Sequence, residues 1–163
     1  MLFSSIPFLY YFLPVVLILY FIAPKKLKNS VLLLTSLVFY GWGEPKYVVL
    51  MIASILIGYV SGLLIEAFSQ KKISKLFLWL SVGINIGFLA YFKYADFFIE
   101  NFNAATGLSI PLLRIALPIG ISFYTFQILS YTVDVYRKDV PAQKNLINLA
   151  AYVTMFPQLI AGP

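Results

Sequence analysis

The sequence predicts an all-α fold, a polytopic transmembrane helical bundle with five or six membrane segments and one interfacial amphipathic helix. Three observations predict it. Of the 163 residues, 61% are hydrophobic and only 11% charged, and the mean hydropathy of +0.90 lies far from the balance of a soluble domain. Uncharged runs recur at 1–24, 29–43, 47–65, 76–92, 115–133 and 145–163, most of them approaching the roughly 20 residues that a spanning helix needs. The Lys and Arg residues sit in short clusters between these runs, as the positive-inside rule requires.

Composition also excludes chemistry. The chain has no cysteine and no histidine, so it holds no disulfide framework, thiolate nucleophile, imidazole base or ordinary zinc site. The net charge of +6 is explained by membrane topology rather than by nucleic acid.

The first run lacks a basic leader, and Phe21-Ile22-Ala23-Pro24 lacks the small-x-small pattern of a cleavage site, so it reads as a retained span. Lys25, Lys26 and Lys28 follow it, which places the N-terminus outside and the first loop in the cytoplasm. Alternation then puts 66–75 and 134–144 on the cytoplasmic side, each again with three basic residues. The bilayer implied is the cell's inner membrane.

The second segment ends in Phe39-Tyr40-Gly41-Trp42, rings suited to the interface, and Gly41, Gly43 and Pro45 break it into a tight turn. In the third, Ser54, Gly58 and Gly62 recur at four-residue steps, a stripe that lets a neighbouring helix approach closely. Gly83 and Gly87 repeat the device in the fourth segment, and Asn85 between them needs a hydrogen-bond partner. On a helical wheel after that segment, Lys93, Asp96, Glu100 and Asn103 form one arc and Tyr94, Phe97, Phe98 and Phe102 the other. That pattern predicts an amphipathic helix at the interface, with Lys93 and Asp96 paired, and 103–109 predicts a surface turn.

The stretch 117–137 is apolar enough to span yet carries polar residues on two faces. Pro118, Ser122, Thr125, Leu129 and Thr132 fall on one side, and Gln127, Ser130, Asp134 and Arg137 lie broadly opposite. Such a helix belongs inside a bundle or beside a wet cavity. Asp134 and Arg137, one turn apart, read as a structural ion pair. Asp139 is the expected N-cap of the last helix, and Pro157 interrupts that helix, making 156–163 a second cavity candidate. No internal repeat or linker divides 1–163, which reads as one membrane-embedded unit, truncated where it stops on Ala161-Gly162-Pro163. From these residues alone, an acyl-transfer scaffold, a small transporter or channel subunit and a non-catalytic assembly module all stay open.

Six blocks in order narrow the choice: Leu2-Phe3-Ser4-Ser5, Phe39-Tyr40-Gly41-Trp42, Tyr91-Phe92-Lys93-Tyr94-Ala95-Asp96-Phe97, Leu117-Pro118-Ile119-Gly120-Ile121-Ser122-Phe123-Tyr124, Ser130-Tyr131-Thr132-Val133-Asp134-Val135-Tyr136-Arg137 and Phe156-Pro157-Gln158-Leu159-Ile160-Ala161-Gly162-Pro163. Together they resemble the membrane-bound O-acyltransferase family, in its bacterial alginate O-acetyltransferase-like branch. The resemblance implies a helical fold around a tunnel, which brings a cytosolic acyl donor, acetyl-CoA or an acyl-carrier thioester, to an acceptor hydroxyl on the other side. It implies acetylation of an exported polysaccharide through a partner transferase, with no bound cofactor, metal or nucleic acid. The family's catalytic histidine lies beyond the last block, and this chain contains none. The expectation is therefore an N-terminal scaffold with no catalytic residue of its own, inactive alone, whose tunnel wall includes Ser122, Thr125, Gln127, Ser130, Pro157 and Gln158.

Overall fold

The computed structural model describes residues 6–43, 45–114 and 120–155. Its regular elements are helical: a π-turn Phe8–Phe12 leading into α1 (Leu13–Ile22), then α2 (Lys28–Gly43), a 3-10 turn Pro45–Tyr47, α3 (Val48–Ala67), α4 (Ile73–Thr106), α5 (Ile121–Tyr136) and α6 (Leu146–Thr154). The π-turn sits just before Pro14, whose missing N–H and bulky ring disrupt the preceding turn and force it to widen. At the other end of α1, Ala23 is extended, as a residue preceding proline must be.

Two stretches are long and apolar enough to cross a bilayer, Pro45–Ala67 with 23 residues and Ile73–Thr106 with 34. α2 and α5, with 16 residues each among the described residues, extend about 24 Å at 1.5 Å per residue.

α3 and α5 pack most extensively and both meet α4, while α6 lies against α2 and α3, and α1 rests on α2 at the edge. The main core draws Tyr40 from α2, Met51 and Ile55 from α3, Ile121, Tyr124 and Ile128 from α5, and Leu149, Ala150 and Val153 from α6. Phe39 and Tyr40 are therefore buried, not interfacial as their position next to a glycine turn suggests. Phe39 packs edge-on to Phe8 at 5.5 Å between ring centroids and closes the small core that holds α1. Trp42 alone of that aromatic block faces outward among the residues whose burial is described.

The small residues of α3 lie at its closest contact. Ser54, Gly58 and Gly62 are all buried, and a Cβ on Gly58 would come within 2.7 Å of Ile128 Cγ2. A Cβ on Gly62 would lie 2.8 Å from the Tyr131 hydroxyl and 3.0 Å from its ring. The equivalent expectation for α4 differs. A Cβ on Gly83 or Gly87 would meet no atom of another element within 4 Å among the described residues, because α4 turns Ser74, Ser81 and Asn85 inward instead.

α4 also corrects the amphipathic helix. Nothing between Gly87 and Gly107 breaks a helix, so the span and the amphipathic segment form one continuous rod that ends only where Gly107 turns left-handed at φ 73°. The returning chain is clamped to that rod. Asn103 Nδ2 donates to the Ile110 carbonyl at 2.9 Å while its Oδ1 accepts the Ile110 N–H at 3.1 Å. Two turns earlier, the Asp96 carboxylate accepts the Leu113 N–H at 2.8 Å and the Arg114 N–H at 2.9 Å. This is why Asp96 does not pair with Lys93: both its oxygens serve the backbone, and the Lys93 ammonium lies over the Tyr94 ring. Arg114 itself is held at φ 50°, a conformation non-glycine residues rarely adopt without such support.

The chain after α5 departs from expectation in two further places. Arg137 pairs with Asp139 at 3.6 Å rather than with Asp134, because the helix stops at Tyr136 and Lys138 turns left-handed at φ 65°, folding Asp139 back. Asp139 does not cap α6. The cap is Asn145, whose Oδ1 accepts the Ile147 N–H at 2.9 Å, and 141–145 form an irregular stretch in between.

Two outcomes follow. Gly58→Ala is expected to lower stability by about 1–3 kcal/mol, since the β-branched Ile128 cannot swing its Cγ2 away; the loss should shrink in an Ile128→Ala background, measured by thermal unfolding in detergent. Asp96→Ala should speed amide exchange at Leu113 and Arg114 by roughly tenfold or more, given about 1.5–3 kcal/mol for hydrogen bonds to a charged acceptor, with exchange in α3 unchanged.

Candidate functional site

α5 is covered on one face. Ile121, Tyr124, Thr125, Ile128, Thr132 and Val135 form its buried stripe, the i, i+3, i+4, i+7 spacing of a packed helix side. Thr132 is satisfied within the helix, its hydroxyl donating to the Ile128 carbonyl at 2.6 Å and reaching that of Leu129 at 3.2 Å. Phe123, Phe126 and Ser130 are exposed on the opposite side.

The expected tunnel residues therefore separate. Thr125 is buried between helices, Ser122 and Gln127 are half-buried, and Ser130 faces out. None of Ser122, Thr125, Gln127 and Ser130 lines the four cavities described next. Pro157 and Gln158 lie outside the described residues. Cavities open to the surface lie elsewhere: 570 Å³ beside the α3–α4 turn, 430 Å³ between α3 and α4, 540 Å³ near the end of α4, and 210 Å³ among α2, α3 and α6. The second is lined by Leu56, Ile57, Val60, Leu64, Phe77, Leu80 and Ile84 with only Ser61 and Ser81 for polar groups, a groove suited to a hydrocarbon chain.

A polar feature that the sequence reading missed lies between α5 and α6. The irregular stretch 141–145 is held by two tyrosines from different helices. Tyr131 OH of α5 accepts the Gln143 N–H at 2.8 Å, and Tyr59 OH of α3 donates to the Lys144 carbonyl at 2.8 Å. Beside them, Asn29 Nδ2 donates to Asn148 Oδ1 at 2.7 Å and joins the first turns of α2 and α6. Backbone without helical partners needs such donors and acceptors wherever water is excluded. The tyrosines carry no sequence signal for this role, because their partners lie 12 and 85 residues away.

Buried polar atoms without a partner mark where the described residues leave bonding capacity over. Asn85 Nδ2 donates to the Ser81 carbonyl at 2.9 Å one turn back. Asn85 Oδ1 and Ser81 Oγ, one helical turn apart on the buried side of α4, have no partner among the described residues, and the same holds for Tyr124 OH and Ser36 Oγ. No grouping of Asp and Glu among the described residues is suited to hold a metal ion.

Comparison with known proteins identifies the relatives of this chain. No family model matches it, and no solved structure does. The probable alginate O-acetylase AlgI of Pseudomonas putida is 44% identical over 168 residues, taking in 100% of this chain and 35% of its own length. The protein of the same name from Pseudomonas aeruginosa is also 44% identical, with 32% of its length covered. The peptidoglycan O-acetyltransferase of Helicobacter pylori is 32% identical over 192 residues and 36% of its length. The chain thus spans about a third of the length of the curated relatives it matches.

Loss of either tyrosine hydroxyl should loosen the 141–145 turn. Tyr131→Phe leaves the Gln143 N–H without its acceptor, at an expected cost of about 1–3 kcal/mol. Combining it with Tyr59→Phe should give a non-additive loss, because both act on one turn, read out by thermal unfolding and by faster amide exchange confined to 141–148. Over its whole length, this chain is similar to the N-terminal part of the alginate O-acetylases.

Proposed function

We propose that this chain is the N-terminal scaffold and tunnel-wall portion of a membrane-bound O-acyltransferase, which transfers acetyl or a related acyl group to an exported cell-envelope or extracellular polysaccharide. The similarity over 100% of the chain to proteins named for alginate and for peptidoglycan O-acetylation carries the reading. Those names share one reaction, ester formation on a hydroxyl of a saccharide polymer, while the polymer differs.

In this reading the chain lies in the inner membrane as five or six segments with its N-terminus outside, so that the basic turns at 25–28, 66–75 and 134–144 face the cytoplasm. The donor is acetyl-CoA or an acyl-carrier thioester arriving from that side, and the acceptor is reached through a partner transferase on the other.

Acyl transfer to a hydroxyl needs a base near operating pH and donors for the developing oxyanion. Histidine is absent, and Asp134 and Asp139 sit at a helix end rather than in a cavity. The catalytic group accordingly comes from the remainder of the enzyme. What α5 supplies is a wall, on which Ser130 is exposed and Gln127 half-buried.

Deleting the full gene should abolish O-acetyl esters on the exported polymer, complementation with the full gene should restore them, and the 163-residue chain alone should not. Within the full-length protein, Gln127→Leu should reduce acetylation roughly tenfold, about 1.4 kcal/mol of transition-state binding, while leaving membrane abundance unchanged. Polymer acetylation at the wild-type level in the deletion strain removes the acyltransferase reading, and wild-type activity in Gln127→Leu removes that residue from the tunnel.

A further inference from the structure

The cavity of 570 Å³ at the α3–α4 turn has a lining unlike the apolar groove between the same helices. Lys71 and Lys72 come from the turn, Lys75 from the first turn of α4 and Lys138 from the chain just past α5, with Ser69, Gln70 and Ser74 among them and Ile65 and Tyr136 also in the wall. No carboxylate lines it. None of the four lysines is ion-paired among the described residues; Lys71 has only the Phe68 ring, 5.6 Å from its ammonium. Lys138 reaches this position from a separate loop through a left-handed backbone at φ 65°.

Topology accounts for lysines in these loops but not for their convergence. The third basic turn, Lys25, Lys26 and Lys28, carries equal charge, and none of its lysines lines any of the four cavities. Four ammonium groups around one concave space repel one another, and an anion seated among them removes that repulsion while taking up their donors. Lysine is a flexible point charge with three donors, suited to a tetrahedral oxyanion that accepts from several directions. The neighbouring serines add short hydroxyl donors: Ser69 lines the space, and Ser74, buried to 5%, bonds the Lys71 carbonyl at 3.0 Å and so holds the turn in place.

We propose that this cavity is a phosphate-binding site at the bilayer surface, built from Lys71, Lys72, Lys75 and Lys138. It rests on the membrane placement given above but not on the acyl-transfer reaction. The phosphate is either the phosphodiester of an anionic phospholipid, whose glycerol and chains continue past Ile65 and Tyr136, or a phosphate of a soluble ligand entering from the aqueous side.

Lysine footprinting on the full-length wild-type protein separates these sources. The protein is reconstituted in phosphatidylcholine nanodiscs, and acylation of each lysine by an amine-reactive probe is followed by mass spectrometry, with Lys25, Lys26 and Lys28 as internal references. One arm replaces part of the lipid with phosphatidylglycerol; the other adds inorganic pyrophosphate. Site occupancy should slow the four cavity lysines roughly fivefold relative to the references. Slowing in the phosphatidylglycerol arm assigns the lipid headgroup, and slowing in the pyrophosphate arm assigns a soluble phosphate. Lys75→Gln with Lys138→Gln should abolish the protection of Lys71 and Lys72, whereas Lys75→Arg with Lys138→Arg should keep it. Equal slowing of all seven lysines, which is general surface attraction, or no slowing in either arm, overturns the proposal. Because no polymer acetylation is measured, the result is independent of whether the enzyme reading holds.

Discussion

The close approach of α3 and α5 is the contact on which the remaining geometry depends. In the membrane setting proposed above, helices gain nothing by leaving one apolar surrounding for another, so association rests on how closely the backbones pack. Gly58 and Gly62 create that closeness, with Ile128 and Tyr131 occupying the space their missing side chains leave. The consequences run outward from there. Ile128 completes the core with Met51 and Ile55, and Tyr131, seated over Gly62, presents its hydroxyl to the Gln143 N–H. A turn that would otherwise expose its backbone is thereby fixed, and α6 enters the bundle beside α2 and α3.

A second device of different chemistry holds the segment that follows α4. Asp96 and Asn103, seven residues apart and therefore on one face of α4, both spend their side chains on the backbone of the returning segment. A carboxylate that accepts two successive N–H groups stabilises a left-handed residue at Arg114. Packing thus positions α5 against α3, and hydrogen bonding holds 110–114 against α4.

How much of this was legible in the sequence depends on whether the information is local. Helix existence was readable, because hydrophobic run length and breakers such as Gly43 with Pro45 and Gly107 act on neighbouring residues. Orientation within the bundle was less so. The stripes in α3 and α4 look alike, yet Gly58 and Gly62 meet α5 while Gly83 and Gly87 meet nothing among the described residues; spacing says which residues share a face, not which face finds a partner. Phe39 and Tyr40 show the same limit, since an aromatic near a helix end suits the interface and the core equally well. Polar partners were the least readable. Asp96 has Lys93 three residues away and Asp134 has Arg137, but Asp96 takes backbone 17 and 18 residues on, and Arg137 goes to Asp139, because a local pairing worth tenths of a kcal/mol in water yields to whatever partner the fold brings nearer. The site residues suffered from both problems, and Tyr59 and Tyr131 were invisible for the second.

The distribution of unused surface bears on the wall proposed for α5. Phe123, Phe126 and Ser130 on α5, and Gly83 and Gly87 on α4, form faces that the described residues leave uncovered. Asn85 Oδ1 and Ser81 Oγ are buried with bonding capacity left over, a cost that a native protein rarely tolerates without a partner or water. Relatives about three times as long have the chain to cover such faces and satisfy such atoms. A helix whose packed side is closed by α3 and whose other side mixes aromatic rings with a serine and a half-buried glutamine is suited to line a passage only once a second wall stands opposite. The reaction proposed for the relatives' shared chemistry needs both walls and a base at the gap. In the proposed function α5 forms one of these walls, and its position is fixed by the Gly58 and Gly62 contacts of α3 with Ile128 and Tyr131.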